Sequence, residues 1–177
     1  LLQRALGQLR AAGVRQVGVN TFHLGERVAD FIDDGRRFGV QATVFAEAPA
    51  ILGTGGGLKN AESFLRSGGE AFVLANGDVW HSFDLAALAA AHRPDALATL
   101  LVFRAPHRPE LHQVFVRERG HGSGEVAHIR GQPAAIASDH AVIYSGVGVY
   151  STRLLDLLPG GGAQACLVQQ GLIPGLA

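Results

Sequence analysis

Ala71-Phe72-Val73-Leu74-Ala75-Asn76-Gly77-Asp78 is the most telling stretch of this chain. Five apolar residues in a row have the length of a buried strand, and turn-forming residues end it. A strand that is apolar on both faces needs cover on both faces, as in α/β sheets. The neighbouring segments repeat the pattern. Short apolar runs at Arg15 to Asn20, Gln41 to Ala46 and Ala96 to Phe103 have strand character. Between them, Leu1 to Gly13, His23 to Gly35, Leu58 to Leu65 and Phe83 to His92 have helical period, with Ser82 as a candidate N-cap. The alternation predicts a three-layer α/β/α sandwich around a mostly parallel mixed sheet. Beyond it, Gln113 to Arg117, Glu125 to Ile129 and Val142 to Tyr150 read as strands, and Leu154 to Leu158 and Ala163 to Gln170 as short helices. There is no internal repeat and no low-complexity linker, so residues 1–177 read as a single domain.

Composition excludes several classes. Fifteen basic and fifteen acidic residues balance to zero, and no basic run offers a phosphate-binding face for nucleic acid. With 47% hydrophobic and 17% charged residues the chain is globular rather than disordered. The longest uncharged stretch, Leu157 to Ala177, carries five glycines, two prolines and three glutamines, which disqualifies it as a membrane span. Cys166 is the lone cysteine, so a disulfide framework within the chain and a thiolate zinc site are excluded, and a cytoplasmic setting is expected.

In open α/β sheets ligands bind at the carboxyl ends of strands. Two polar clusters lie at such ends: Gly53-Thr54-Gly55-Gly56-Gly57, after the strand at Gln41 to Ala46, and Asn76-Gly77-Asp78. Repeated glycines let a backbone approach a base or a phosphate closely, but they also make a tight turn that needs no ligand. Leu58 interrupts both the P-loop and the dinucleotide pattern. Asp78 is placed to hold Mg²⁺ beside phosphate oxygens, or simply to complete a turn. His81, His92, His107 and His112 lack zinc-like spacing. Lys59, the only lysine, fits a solvated place on a helix, and Ser145 lacks the setting of a hydrolase nucleophile.

Together these motifs resemble the sugar-phosphate nucleotidyltransferase family. Ile51-Leu52-Gly53-Thr54-Gly55-Gly56-Gly57-Leu58-Lys59-Asn60-Ala61 resembles its base-recognition loop, with Glu47 upstream where relatives carry a glutamate. Val73 to Val79 resembles the strand that delivers a metal-binding aspartate, and Tyr144-Ser145-Gly146-Val147-Gly148-Val149-Tyr150 the strand and turn of the sugar pocket. The resemblance runs from Leu1 to about Leu158. It implies a Rossmann-like fold of the nucleotide-diphospho-sugar transferase type. It further implies Mg²⁺ as cofactor, and a nucleoside triphosphate and a sugar 1-phosphate as partners. By the same resemblance Glu47, Gly53, Thr54, Gly55, Gly56 and Asn76 bind the nucleotide, Gly146 and Val147 the sugar, and Asp78 the metal.

The chain departs from the family in four places. The family opens with a strand and a glycine-rich loop whose arginine and lysine hold the triphosphate, and this sequence begins after that point. His128-Ile129-Arg130-Gly131-Gln132-Pro133 lacks the glutamate-lysine pair of a Glu-Lys-Pro segment, and Gln113 stands where a glycine is common. A second metal-binding aspartate, from a segment beyond the sugar strand, is missing. The expectation is therefore a partial domain lacking its first strand, with two open sheet edges and poor solubility. Two other classes compete: a non-catalytic nucleotide- or sugar-binding relative, and a metal-dependent glycosyltransferase. The second usually shows Asp-x-Asp, and here Asn76 occupies the first acidic place.

Overall fold

The computed structural model describes all residues except 112, 121, 135, 161 and 177. Among the described residues, five α-helices and seven strands form: α1 (Leu2–Ala11), β1 (Gln16–Thr21), α2 (Gly25–Ile32), β2 (Gln41–Ala46), α3 (Gly53–Asn60), α4 (Glu62–Ser67), β3 (Ala71–Ala75), α5 (Leu85–Ala90), β4 (Ala98–Phe103), β5 (Val114–Gly120), β6 (Ser123–Ile129) and β7 (His140–Ser151). All seven strands lie where the apolar runs put them. Helix ends differ more. Asp84 rather than Ser82 caps α5, its Oδ1 accepting from the Ala86 amide at 2.8 Å.

The strands make two sheets. β1 and β2 pair in parallel, Gln16 opposite Gln41 through Thr21 opposite Ala46. The second sheet is ordered β3-β7-β5-β6, with β4 also on β7, and all its pairings are antiparallel. The parallel share is thus one pair, smaller than a mostly parallel sheet. The cause is β7. This twelve-residue strand runs against β3, β4 and β5 and holds them together. β3 and β4 therefore share a direction without touching each other.

Both faces of the second sheet are covered. Leu85 and Leu88 of α5, with Leu9 and Ala12 at α1, pack on Val73, Val147 and Val149. On the opposite face Leu58, Leu65, Leu154, Leu155, Leu167 and Leu172 pack on Phe72, Leu74, Leu100 and Tyr150. That gives helix, sheet, helix. Leu154 and Leu155 are fully buried, worth about 1.5–3 kcal/mol each.

Between β1 and β3 lies a cavity of about 1020 Å³. Both strands line it; Leu2, Leu6 and Leu9 of α1 and Leu58, Ala61, Phe64 and Leu65 also contribute to its walls. Among the described residues β1 pairs only with β2, and β3 only with β7. The two open sheet edges expected from the sequence are present, and they border a slot with an apolar lining.

Two segments read as helix or loop take another form. The glycine run is itself helical: α3 begins at Gly53, not Leu58, and breaks at Ala61 before α4. Residues 163–166, expected to be helical, form neither helix nor strand, and a π-helical turn starts only at Leu167. The two departures have one cause. Ala165 donates its amide to Leu52 O at 2.8 Å, and its carbonyl accepts from the amides of Gly55 (2.9 Å) and Gly56 (3.3 Å). Backbone groups committed to α3 are not free to make a helix of their own.

Candidate functional site

The site collects at the carboxyl ends of β1, β2 and β3. The parallel ladder continues one step past β2, with the Glu47 amide donating to Thr21 O at 2.8 Å. This puts the Glu47 side chain beside the end of β1. Its Oε2 accepts from the Leu52 amide at 2.6 Å, and its Oε1 from Asn20 Nδ2 at 3.3 Å. Glu47 therefore fixes the approach to α3, which brings a carboxylate to the helix's N-terminal end.

The glycines serve packing first. A Cβ on Gly56 would lie 2.6 Å from Ala163 O and 2.9 Å from Leu52 Cβ; one on Gly55 would lie 3.0 Å from Ala165 O. Gly55, Gly56 and Gly57 are buried. The Gly55 and Gly56 amides are committed to Ala165 O. Gly53, Thr54, Glu47, Asn20 and Asn76 all line the cavity, whereas Gly55 and Gly56 lie beneath that surface.

Asn76 leaves β3 and meets the bend in β7. Gly146 has φ +81, and its carbonyl accepts the Asn76 amide at 3.1 Å. Ser145 makes the bend possible. Its Oγ donates to Leu101 O at 2.7 Å and accepts from the Val147 amide at 3.2 Å, satisfying two groups that the β4–β7 irregularity releases. Val147 is fully buried against the α5 layer. Its side chain supports the bend from behind and faces the core, not a ligand.

Asp78 follows two residues after Asn76 and is exposed. Among the described residues no group of three His, Cys, Asp or Glu side chains gathers for a metal. A carboxylate with the Asn76 amide two residues before it is a hard-oxygen donor set. That suits Mg²⁺, which takes one or two carboxylates and fills its shell with phosphate and water oxygens. It does not suit zinc. The loop beyond is tied to α1. Gln8 Nε2 donates to His81 O at 3.0 Å, Arg4 Nη2 to the same oxygen at 3.3 Å, and the Arg4 guanidinium lies 4.8 Å from the Trp80 ring centroid.

The remaining candidates have structural work. Lys59 Nζ donates to Leu155 O at 3.0 Å and pairs with Glu62 at 2.8 Å, bracing α3 rather than standing in solvent. Those bonds from Lys59, and others from Arg66, hold the Glu62 carboxyl below its usual range. His92 Nδ1 lies 2.9 Å from Thr99 Oγ1, and burial with the nearby Arg153 charge lowers its pKa. His112 lies outside the described residues. Sequence reading missed Asn20 and Ala165, and the part of Ser145 in the bend, all of which depend on partners distant along the chain.

The nucleotidyl transferase family model matches residues 1–158. A UTP–glucose-1-phosphate uridylyltransferase of Synechocystis sp. is 28% identical over 170 residues, covering 91% of this chain and 43% of that protein. An N-acetylmuramate alpha-1-phosphate uridylyltransferase of Neisseria meningitidis is 27% identical over 160 residues, covering 88% of this chain and 64% of that one. The chain thus spans less than two thirds of the length of either relative. In fold it is similar to HddC from Yersinia pseudotuberculosis, with a TM-score of 0.73 at 18% identity, over 97% of this chain and 70% of that chain. A UDP-glucose pyrophosphorylase complexed with UDP-glucose gives 0.69 at 12% identity, over 98% and 74%. These neighbours share the Rossmann-like α/β arrangement. The chain belongs to the nucleotidyl transferase family.

Proposed function

We propose that this chain carries the nucleotide- and sugar-binding part of an enzyme that transfers a nucleoside monophosphate from its triphosphate to a sugar 1-phosphate. The observation that carries the reading is convergence. Glu47, Gly53, Thr54 and Asn76 line one cavity, and Asp78 and Gly146 adjoin Asn76 in sequence and by hydrogen bond respectively. In the reaction an oxygen of the sugar phosphate attacks the α-phosphorus. The bond from that phosphorus to the bridging oxygen breaks, and pyrophosphate leaves with the electron pair. Such a displacement needs positioning and charge neutralisation more than a protein nucleophile.

The residues divide as follows. Glu47 and the first turn of α3, Gly53 and Thr54, hold the base, with Gly55 and Gly56 shaping that turn from below. Asn76 orients the nucleotide against Gly146, and Gly146 with Val147 behind it shapes the sugar pocket. Asp78 holds Mg²⁺, which when bound neutralises phosphate charge. Residues 1–177 act as one domain, and we place the protein in the cytoplasm. Among the described residues no helix is long and apolar enough to cross a membrane.

Pyrophosphate release and the binding of nucleotide and sugar 1-phosphate, measured together, test the reading. UTP with glucose 1-phosphate or N-acetylmuramate 1-phosphate comes first, because both named relatives are uridylyltransferases; GTP and dTTP follow. Release of pyrophosphate that requires both substrates and Mg²⁺ supports the transferase. Binding of both nucleotide and sugar 1-phosphate without turnover is what the binding part alone gives, whereas binding of only one of the two points to a nucleotide- or sugar-binding relative instead. Absence of both binding and turnover overturns the reading.

A further inference from the structure

We propose that Asn20 is a positioning residue of the nucleotide site, holding Glu47 in the orientation that keeps one of its oxygens on the Leu52 amide. The inference rests on the nucleotide-binding reading above and adds to it a residue that touches no reacting atom.

Three elements meet at this side chain. Asn20 stands at the penultimate position of β1, opposite Phe45 of β2. Its Nδ2 donates to Glu47 Oε1 at 3.3 Å, while the other carboxylate oxygen takes the Leu52 amide at 2.6 Å. The third element is α3. A Cβ on Gly57 would overlap Asn20 Nδ2 and come within 2.8 Å of Glu47 Oε1. The strand, the carboxylate and the helix are thus in contact through groups that leave room only for a hydrogen on Gly57.

The chemistry selects an amide at position 20. A carboxylate that already takes the Leu52 amide offers only acceptor oxygens to its other neighbour, so that neighbour must donate. Aspartate has the same shape as asparagine but would set two carboxylates against each other, raising the pKa of the pair. Alanine would leave Oε1 without its partner and free Glu47 to rotate away from Leu52. With its two protein bonds made, Glu47 still has lone pairs free for a donor on a bound nucleoside. Asn20 sets where those lone pairs point.

Asn20→Asp and Asn20→Ala test the idea, each compared with the unsubstituted chain at pH 8 and pH 5.5. Calorimetric titration with UTP, GTP and dTTP in Mg²⁺ reads affinity, and hydrogen exchange at the Leu52 amide without nucleotide reads the clamp. At pH 8, N20D should bind its best nucleotide about tenfold more weakly, the scale of one charge-assisted hydrogen bond, and Leu52 should exchange faster. At pH 5.5 a proton shared by the two carboxyls of the variant restores a donor, so N20D should regain most of that affinity. N20A should stay weak at both. The unsubstituted chain accounts for titration of the triphosphate itself. The other ionisable groups lining the cavity, among the described residues, are Arg15, which precedes β1 at the strand end opposite Asn20, and His92, which pairs with Thr99. A simple loss of structure would not recover in acid. The proposal is overturned if N20D binds like the unsubstituted chain at pH 8, or is equally weak at both pH values. If the unsubstituted chain binds no nucleotide, the functional reading falls and takes the role of Asn20 in it. Faster Leu52 exchange in N20D would then still separate an intact clamp from a failed function.

Discussion

Asn76 sits on Gly146. Its amide donates to the Gly146 carbonyl at 3.1 Å, and its Nδ2 fills the place that a Cβ on Gly146 would take. The residue that opens the Asp78 turn is thereby docked on the bend of the strand that holds the sheet together. Gly146→Ala adds a methyl at φ +81 and drives it into Asn76. We expect a loss of about 2 kcal/mol or more, the strain of a left-handed alanine plus displacement of the amide. Urea denaturation checks it. A second expected effect is weaker sugar-phosphate binding. Unchanged stability would mean that the bend relaxes without cost.

Asp78→Asn keeps the size of the side chain and removes its charge. The side chain is exposed and outside any cluster of metal-type ligands among the described residues, so the substitution should leave the melting temperature within about 1–2 °C. In the whole enzyme we propose, Mg²⁺-dependent nucleotidyl transfer should fall at least a hundredfold if Asp78 is a charged ligand of the cation. Manganese binding, followed by paramagnetic resonance, should weaken in parallel. Undiminished turnover in the variant would remove Asp78 from the metal site.

Legibility in the sequence follows the range of the forces involved. The strand Ala71–Ala75 and its neighbours are visible because burial on two faces demands continuous apolar runs. Asp78 and Gly146 are visible because turn chemistry is local. The glycine run is not legible as a helix, because glycine disfavours helices by about 1 kcal/mol per residue. Its small size becomes an advantage through distant partners, the Ala163 to Ala165 segment over a hundred residues away and the Asn20 and Glu47 side chains against Gly57. The contact with Ala163 and Ala165 also hides the non-helical form of residues 163–166 behind an alanine- and glutamine-rich composition. Asn20 needs the β1–β2 register before it can be placed beside Glu47.

Gly56→Ala and Gly7→Ala separate packing from propensity. A Cβ on Gly56 meets the Ala163 carbonyl at 2.6 Å and Leu52 Cβ at 2.9 Å, whereas one on Gly7, in the middle of α1, meets nothing within 4 Å. The first substitution should cost about 2–4 kcal/mol and release residues Ala163–Cys166 to exchange. The second should stabilise by about 0.5–1 kcal/mol, as alanine replaces glycine inside a helix. Denaturation midpoints of both variants, with equal slopes, are the measurement.

His92 makes stability depend on pH with a definite sign. Burial, with help from the Arg153 charge, lowers its pKa in the folded chain, while the unfolded value stays near 6.5. Between the two values the unfolded state binds more protons, so stability rises with pH across that window. It is complete above about pH 6.5 and declines as pH falls toward the folded value. His92→Gln keeps a polar partner for Thr99 and removes the titration. Its melting temperature should therefore change less than that of the unsubstituted chain between pH 7 and pH 5. Parallel pH curves for the two would reject the assignment.

The facing edges of β1 and β3 make the last prediction. Among the described residues neither edge has a strand partner on the side of the cavity of about 1020 Å³, and open edges pair with other chains. The leucines of α1 and of α3–α4 in its walls add an apolar reason to do so. This chain alone should therefore associate as its concentration rises and bind a hydrophobic dye in its native state. The dye signal should fall when association buries the slot, which distinguishes edge pairing from general unfolding. Sedimentation velocity across a tenfold concentration range, with dye fluorescence on the same samples, decides. A monodisperse monomer that melts cooperatively and leaves the dye dark would mean that the two sheets close over the slot in solution.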